Sequence, residues 1–464
     1  MSALSLRADG GTRVLAAGRV LLGGSPLRLL RLSDAGARTV RSWLDGEPVG
    51  DAAAQRALAR RLVHAGVLHP VYTGGPTTAD VTVVVPTRTD GTAVPGPRAA
   101  DGTAVPGQMG PAPDGVRVVV VDDGSPVPVP GAASRHPTPR GPAAARNTGT
   151  ALVRTGLVAF LDADVRPEPG WLDALLPHFA DPAVAAVAPR VRSEPGSSAL
   201  ARYEQARSPL DLGAAPAPVR PGGRVGYLPS AALVVRTAVL RELGGFDERL
   251  RFGEDVDLVW RIVGSGRQVR YEPAATVWHR PRLSWPRWLR QRLDYGGSAA
   301  PLALRHGSAV APLRVSRWSA LAWGLVAAGH PVPGVTTALA TAALLPRKLG
   351  RLGVPAAESL RLALAGHLGA GALIADAVTR SWAPLAMPLL ALSRRGRWVL
   401  AAALCRHLLE WRRTRPPLDP ARFVLVRAAD DLAYGAGVCW GCLRHRTVRP
   451  LLPDLSDWPG RNTP

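Results

Sequence analysis

The chain has 464 residues, 47% of them hydrophobic, which is enough to bury the cores of two or three domains. Its formal net charge of +22 comes almost wholly from arginine, because Lys348 is the sole lysine. The sequence has no zinc-finger spacing, recognition-helix signature or basic stripe with interleaved aromatic residues, so we expect no nucleic-acid partner. Anionic sugar derivatives or anionic lipid head groups suit this charge better.

Residues 1–75 are predicted to form a small α+β domain. The predicted elements are strands over Val14–Leu22 and Leu27–Leu32, a helix from Ser33 and Asp34 to Leu44 and a helix from Asp51 to His64, with a core of Leu58, Leu62, Val63 and Leu68. This pattern resembles the winged-helix peptide-recognition domains of ribosomal peptide modification. Such domains take a leader peptide as an added strand, which implies a site at an exposed edge of the hairpin. A structural cap on the rest of the chain is the alternative.

The next segment begins with a predicted strand over Val81–Pro86 and continues into a duplicated heptapeptide, Asp90–Gly96 and Asp101–Gly107. Each copy holds proline and glycine and few large apolar residues, so it cannot form an amphipathic helix. Two copies are also too few for a solenoid. We therefore expect a flexible loop here.

Two apolar runs then stop abruptly at acidic residues. Val118–Val121 ends at Asp122 and Asp123, and Leu157–Leu161 ends at Asp162-Ala-Asp164. Buried parallel strands deliver side chains to one rim of a sheet in this way. The spacing of Asp162 and Asp164 puts both carboxylates on one side of an extended segment, where they can hold a hard divalent cation against a diphosphate. A plain turn after each strand is the alternative interpretation.

A third acidic cluster, Gly253-Glu254-Asp255-Val-Asp257, lies at the start of a predicted helix that runs through Val256 to Val263. Taken alone it could be only the acidic first turn that the helix dipole favours. Its position after Gly244-Gly-Phe-Asp-Glu248, and after the two strand-end clusters in order, favours a functional role.

From Asp80 to about Gly307 the chain resembles the family-two glycosyltransferases of GT-A fold, the α/β fold of nucleotide-diphospho-sugar transferases. The motifs that carry the resemblance are Val83-Val-Val-Pro-Thr87, Val121-Asp-Asp-Gly-Ser125, Ala145-Arg-Asn-Thr-Gly149, Phe160-Leu-Asp-Ala-Asp164, Gly244–Glu248 and Gly253–Asp257. With its flanking segments, the chain resembles the glycosyltransferases of the mycofactocin system, which glycosylate a peptide-derived redox cofactor.

The resemblance implies a role for each motif residue. Pro86, Asp122, Asp123, Arg146 and Asp162 are expected to bind the nucleotide sugar; Asp162 and Asp164 are expected to hold Mg²⁺ or Mn²⁺. Asp255 is the expected catalytic base, and Glu254 is expected to shape the catalytic site. These roles agree with the chemistry of inversion at an anomeric carbon. A carboxylate must take the proton of the acceptor hydroxyl group on one face, while a cation neutralises the departing diphosphate on the other.

Further along, His279 is a candidate third metal ligand, because imidazole suits Mn²⁺ better than Mg²⁺. A hydrogen-bonded core histidine is the alternative. Arg290, Arg292 and Tyr295 are candidates for a cationic lid over the donor phosphates, and an ordinary basic helix face is the alternative.

These roles predict a metal-dependent, inverting hexosyltransferase. The expected donor is UDP-glucose, and the expected acceptor is the peptide-derived precursor premycofactocin, modified once or repeatedly. Transfer onto a lipid or cell-wall glycan is an alternative function. An inactive peptide-binding scaffold is another, although a scaffold has no need of so many carboxylates in one cleft.

Residues 308–464 are predicted to form a helical, partly apolar region. Trp318–Pro346 carries no formal charge and is long enough to cross a bilayer, but His330-Pro-Val-Pro-Gly334 interrupts it, which favours two helices. Leu362–Ala375 and Ser381–Ser393 look too short to span a membrane. Because arginines flank them, and because the amino terminus lacks a secretory signal, we expect contact with the cytoplasmic face of the cell membrane. A wholly soluble helical domain is the alternative.

Overall fold

The computed structural model describes residues 4–89 and 116–455. The duplicated heptapeptide, predicted as a loop, lies outside these residues. Three segments follow one another: a small amino-terminal unit, a central unit built on one large sheet, and a helical region.

The amino-terminal unit has two small sheets and two helices. Its elements are β1 (Leu4–Ala8), β2 (Arg13–Leu15), β3 (Val20–Gly23), β4 (Arg28–Arg31), α1 (Asp34–Leu44), α2 (Ala53–Ala65) and β5 (Leu68–Tyr72). Strands β3 and β4 form the predicted hairpin, whereas a tight turn at 16–18 breaks the predicted first strand into β2 and β3. Helix α1 starts as predicted, because the Ser33 side chain accepts a hydrogen bond from the Gly36 N–H. The pairing of β1 with β5 was not predicted.

The central unit contains the sheet that positions the site. Its elements are β6 (Val81–Thr87), β7 (Arg117–Asp122), β8 (Ser134–Arg135), α3 (Pro142–Ala151), β9 (Leu157–Leu161), β10 (Val165–Pro167), α4 (Trp171–Leu175), β11 (Val184–Ser193), α5 (Ala199–Arg207), β12 (Ala217–Pro218), β13 (Ala232–Arg236), α6 (Thr237–Glu242), α7 (Glu254–Gly264), β14 (Gln268–His279), α8 (Trp285–Gly297) and α9 (Ala299–His306). Within the described residues the strand order is β10-β14-β11-β13-β9-β6-β7-β8, and β12 also pairs with β14. Valine-rich strands fill this sheet because both of its faces are buried.

The helical region carries α10 (Arg317–Ala327), α11 (Pro331–Gly350), α12 (Ala356–Thr379), α13 (Ala383–Ala391), α14 (Arg394–Thr414) and α15 (Pro420–Arg444). The helix break near His330 agrees with the sequence-based expectation. The expectation of a short apolar helix over Leu362–Ala375 was wrong, because α12 extends at both ends to 24 residues. In the described part of the chain, α12 is the one helix long and apolar enough to cross a membrane by length and composition.

Polar contacts join the amino-terminal unit to the other two segments. Asp9 accepts hydrogen bonds from Arg224 Nη2 at 2.7 Å and from His69 Nε2 at 2.8 Å. Arg13 forms an ion pair with Glu358 of α12. Apolar residues at the α11–α12 turn also pack on the β2–β3–β4 sheet. The unit is therefore held against both the central unit and the helical region.

Candidate active site

The predicted site residues meet at one rim of the large sheet. Strands β6, β7 and β9 are parallel, and β13 runs antiparallel to both β9 and β11, so β11 and its parallel neighbour β14 share their direction. The carboxyl ends of these strands consequently lie at the same edge, where α/β proteins bind ligands. Asp122 ends β7, Asp162 follows β9 and His279 ends β14.

The two carboxylates after β7 order the loop that follows them. Asp122 accepts two backbone N–H bonds from this loop at 2.9 and 3.1 Å, and Asp123 accepts two just before α3, each at 2.8 Å. Burial raises the pKa of Asp122, but hydrogen bonds from Ser125 and the loop backbone hold it below its usual value. Gly124 has φ of 68°, as the turn interpretation requires. Contact of Asp122 or Asp123 with the donor stays a prediction, as does that of Pro86 in β6.

Arg146 of α3 links two of the acidic clusters. Its guanidinium donates to Asp162 Oδ1 at 2.7 Å and to Glu254 Oε1 at 2.9 Å. Arg146 and Glu254 are buried and Asp162 is partly exposed, so the three groups form a charge network that extends from the interior to the rim of the site. Burial and the negative charge of Asp255 raise the pKa of Glu254 to about 7. Its carboxyl group therefore changes charge near neutral pH.

Asp255 lies in the first turn of α7 and is held by backbone groups. Its Oδ2 accepts a hydrogen bond from the Ser230 N–H at 3.2 Å, and its Oδ1 accepts one from the Val256 N–H at 2.8 Å. Burial raises the pKa of Asp255, although these N–H bonds and Arg146 oppose the rise. A fixed carboxylate with a raised pKa suits a general base, because proton affinity favours abstraction from a hydroxyl group.

The predicted metal ligands lie next to one another. His279 Nε2 is 3.4 Å from Asp164 Oδ2, and β10 pairs with β14 beside them. Burial lowers the pKa of His279. The negative charges of Asp164 and Asp162 outweigh this effect and raise the pKa above its ordinary value. Burial also raises the pKa of Asp162, and the nearby Asp164 raises it further.

The donor chemistry of this group fits a divalent cation, since two carboxylates and an imidazole suit Mn²⁺. The three side chains are, however, not arranged as a set of metal ligands. Over residues 4–89 and 116–455, no three His, Cys, Asp or Glu side chains are arranged to hold a metal ion. Arg146 engages one oxygen of Asp162, and His279 turns toward Asp164. Cation binding at these residues stays a prediction.

The predicted cationic lid needs one correction. Arg292 is 1% exposed. Its guanidinium forms ion pairs with Glu204 of α5 and Asp430 of α15 and lies over the Trp288 ring, so it is not free to close over donor phosphates. The helix face that carries it is covered by α15, which the sequence of α8 does not reveal. Arg290 is exposed and pairs with Asp294 at 3.2 Å, so its contact with donor phosphates stays a prediction.

Tyr295, the third lid candidate, lies close to the candidate base. Burial raises its pKa to about 12, and Asp255 adds to the rise. Tyr227, which the sequence analysis missed, also has its pKa raised by burial and by Asp255. Ser230 was missed as well, because it acts on Asp255 through its backbone N–H, which any residue supplies. Sequence gives no signal for such contacts.

A cleft of 660 Å³ borders the network on its other side. Its lining includes Asn147, which follows Arg146 and accepts a hydrogen bond from the Phe246 N–H at 2.9 Å. Asp257 lies in the same cleft, where it forms ion pairs with Arg261 at 2.8 Å and Arg305 at 3.2 Å and a hydrogen bond with His306 at 2.9 Å. Asp257 thus anchors α7 to α9 and does not share the environment of Asp255.

The sheet, the acidic strand ends and the carboxylates in the first turn of α7 define a glycosyltransferase of GT-A fold. The family model described as "Glycosyl transferase family 2" matches residues 108–242. Two curated proteins of Mycobacterium tuberculosis, from strains CDC 1551 / Oshkosh and ATCC 25618 / H37Rv, are each called pre-mycofactocin glycosyltransferase. Each is 42% identical to this chain over 475 residues, covering 97% of both chains. The chain belongs to the pre-mycofactocin glycosyltransferase family, and the predicted resemblance is confirmed.

Solved structures give weaker similarities. A mannosyltransferase from Pyrobaculum calidifontis, in complex with GDP-Man and Mn²⁺, is 17% identical, with a TM-score of 0.39 over 78% of this chain and 87% of that chain. GalNAc-T7 with UDP, GalNAc and Mn²⁺ is 15% identical, with a TM-score of 0.31 over 47% of each chain.

Proposed function

We propose that this enzyme transfers glucose from UDP-glucose onto premycofactocin with inversion at the anomeric carbon, and that it repeats the transfer. The name of its relatives supports the acceptor. The observation that carries the mechanism is Asp255, a half-buried carboxylate with a raised pKa, oriented by two backbone N–H groups. The acidic network around it argues against the inactive scaffold, because buried carboxylates without a use are costly.

In the proposed reaction, an acceptor hydroxyl oxygen forms a bond to the anomeric carbon while the bond from that carbon to the diphosphate oxygen breaks. Asp255 takes the hydroxyl proton, and the nucleoside diphosphate leaves with the bonding electron pair. Arg146 pairs with Asp162 and Glu254 and so offsets part of the negative charge beside Asp255. The Ser230 and Val256 N–H groups hold the carboxylate of the proposed base in place.

A divalent cation is also proposed at Asp162, Asp164 and His279. When bound, it would neutralise the charge that develops on the departing diphosphate. The support is the donor chemistry of these three residues and the pKa of His279, which the two carboxylates raise. Mn²⁺ is the proposed ion in preference to Mg²⁺, because imidazole is a softer ligand than oxygen.

The function is tested by incubating the full-length enzyme and Mn²⁺ with premycofactocin and either UDP-glucose or GDP-mannose. Mass spectrometry should detect added hexosyl units with UDP-glucose. Nuclear magnetic resonance of the product should give an anomeric configuration opposite to that of the donor. Retention of configuration would refute the inverting mechanism, and transfer from GDP-mannose alone would refute the proposed donor.

We also propose that the amino-terminal unit docks the peptide-derived part of a substrate. Its three-stranded sheet has β2 at one edge, and Val14 in β2 is 49% exposed. An open edge strand can accept an added peptide strand through backbone hydrogen bonds. The buried Asp9–His69 pair supports the structural-cap alternative instead, since Asp9 also pairs with Arg224 and His69 contacts Arg270 of β14 in the central unit.

Lysine on an edge strand discourages strand addition, which gives a direct test. Val14→Lys should weaken binding of a labelled synthetic precursor peptide to the full-length enzyme, measured by fluorescence anisotropy. Val71→Lys is the matched control, because Val71 is 46% exposed on β5 of the other sheet. Equal affinity of the wild type and Val14→Lys for the peptide would refute docking at β2 and support the structural-cap alternative.

The third proposal is that the helical region contacts the cytoplasmic face of an anionic membrane. Leu389, Leu392 and Trp398 are 68%, 81% and 70% exposed around the start of α14, and exposed arginines at 394, 395 and 397 lie among them. Apolar side chains beside basic ones suit a bilayer surface, where each arginine adds about 1 kcal/mol. In the most apolar 18-residue stretch of α12 only 17% is buried. The exposed part of this helix adds apolar surface to the helical region.

Co-sedimentation with vesicles tests this contact. Full-length enzyme should sediment with vesicles that contain phosphatidylglycerol, less with pure phosphatidylcholine, and less again at high salt. Replacing Arg394, Arg395 and Arg397 by glutamine should reduce sedimentation, whereas glutamine at Arg412 and Arg413, at the other end of α14, should not. Salt-independent recovery in the supernatant would refute the membrane proposal.

A further inference from the structure

Three tyrosines from different parts of the chain come together beside the candidate base. Tyr227 lies in the loop before β13, Tyr295 lies in α8, and Tyr434 lies in α15 of the helical region. Each of them is half-buried, as is Asp255. We refer to these three side chains as the tyrosine cluster. The sequence analysis singled out Tyr295 but neither of the other two.

Contacts on two sides of Asp255 place Tyr227 and Tyr295 beside it. Asp255 accepts a hydrogen bond from the Ser230 N–H at 3.2 Å, and Tyr227 is three residues before Ser230. Phe252, three residues before Asp255, packs edge-to-face on Tyr295, with ring centres 6.5 Å apart. Burial raises the pKa of both phenol groups, and the charge of Asp255 raises it further. Both phenol groups therefore stay protonated at neutral pH and leave Asp255 as the base.

Close packing of α15 on α8 brings Tyr434 to the same place. A Cβ atom at Gly296 would overlap the Tyr434 carbonyl oxygen, so the two helices approach this closely because that residue is glycine. Gly296 directly follows Tyr295. After burial and Asp255, the pKa of Tyr227 responds to Tyr434, which raises it, and to Arg380, which lowers it. Electrostatic effects weaken with distance, so both groups lie near the Tyr227 phenol.

The tyrosine cluster is held in place by contacts of its own. Tyr227 donates its hydroxyl group to the Pro209 carbonyl oxygen at 2.8 Å, and Tyr295 accepts a hydrogen bond from Gln291 Nε2 at 2.9 Å. The Arg380 guanidinium lies over the Tyr434 ring, 4.0 Å from its centre. The three side chains nevertheless keep accessible surface. Fixed aromatic surfaces of this kind are typical walls of small-molecule sites.

We propose that the tyrosine cluster binds the acceptor, and that Tyr434 makes the helical region part of the acceptor site. The acceptor hydroxyl group must come within hydrogen-bond distance of Asp255 to lose its proton, which places the acceptor beside the cluster. Aromatic walls favour a group with a flat apolar face. A ring of the unglycosylated acceptor and a sugar ring already attached to it both have this property. The inference rests on the proposed function and deepens it, because it names acceptor-binding residues.

The test compares Tyr434→Leu with Tyr434→Phe in the full-length enzyme with Mn²⁺ and UDP-glucose. Leucine removes the ring and phenylalanine keeps it, so the KM for the acceptor should rise about tenfold in Tyr434→Leu only. In both variants kcat and the affinity for UDP-glucose, measured by isothermal titration calorimetry, should stay within about twofold of the wild type. Trp440→Leu is the matched control, because Trp440 lies on the same helix and is 59% exposed.

The KM is measured separately for premycofactocin and for the glycosylated product of the wild-type enzyme. A rise for premycofactocin assigns the contact to the unglycosylated acceptor, and a rise for the product alone assigns it to the attached sugar. An unchanged KM for both would overturn the inference, and so would an equal rise in Trp440→Leu.

Tyr227→Leu is the second variant. If Tyr434→Leu does not bind UDP-glucose, Tyr227→Leu takes its place in the same comparison, and an unchanged acceptor KM would again overturn the inference. A wild-type enzyme that transfers no sugar to premycofactocin would instead refute the proposed function, and the inference with it. Transfer by the wild type with unchanged KM values in the variants would refute the inference alone.

Discussion

Arg146 donates a hydrogen bond to Glu254 across 2.9 Å and thereby ties helix α3 to the first turn of α7. The same guanidinium holds Asp162, so one buried arginine balances a carboxylate of the predicted cation site and the carboxylate next to the candidate base. Burial lowers the pKa of Arg146, but these two carboxylates raise it above the usual value. The charge balance of the site depends on this residue.

The first prediction concerns Glu254 and the stability of the metal-free enzyme. Its pKa is raised from 4.5 to about 7 in the folded protein, so between these pH values the folded state holds a proton that the unfolded state has lost. The free energy of unfolding should therefore fall as pH rises through this window, by at most about 1.4 kcal/mol per pH unit. Glu254→Gln has no such proton, and its loss over the window should be smaller.

Urea unfolding in the presence of chelator, at intervals from pH 4.5 to pH 7.5, measures this difference. Other titrating groups contribute to both proteins and cancel in the comparison. Equal pH slopes in the wild type and in Glu254→Gln would mean that Glu254 titrates normally.

The second prediction concerns the cation. Asp164→Ala should weaken binding of UDP-glucose in Mn²⁺ by about 10–100-fold, close to the affinity that the wild type shows in chelator. Asp173→Ala is the control, because Asp173 is an exposed aspartate in α4. His279→Ala should retain binding but lose the preference for Mn²⁺ over Mg²⁺. Isothermal titration calorimetry measures both, and wild-type affinity in Asp164→Ala would exclude this metal site.

The third prediction separates two neighbouring arginines of α8. Arg292→Met leaves Glu204 and Asp430 buried without their cation, which should cost about 3–5 kcal/mol of folding stability. Arg290→Ala removes a side chain that is 75% exposed, so stability should change by no more than about 0.5 kcal/mol. Thermal or chemical unfolding decides between them. A stable Arg292→Met enzyme with a raised KM for the donor would restore the lid assignment.

The local patterns predicted much of the central fold. Val118–Val121 and Leu157–Leu161 are strands that end at the rim, because a β-branched run followed by aspartates leaves few alternatives. The start of α7 at Glu254 followed from the same kind of local pattern. These positions were predictable because the determinants lie within a few residues of one another.

The parts that failed depend on contacts distant in sequence. Arg292 is buried because Asp430 of α15 reaches it, and the two residues are far apart in the chain. Likewise β1 pairs with β5 across the whole amino-terminal unit. No local periodicity encodes such relationships.

The last prediction tests the central claim, that Asp255 takes the acceptor proton. Asp255→Asn keeps the shape of the side chain but cannot accept the proton, so kcat for transfer to premycofactocin should fall about 10²–10⁴-fold. The affinity for UDP-glucose and Mn²⁺ should stay within about twofold of the wild type. The most direct measurement is single-turnover transfer of labelled glucose, followed by mass spectrometry, with both enzymes saturated with donor. The account predicts a donor-loaded Asp255→Asn enzyme that forms almost no product, and product formation at the wild-type rate would contradict it.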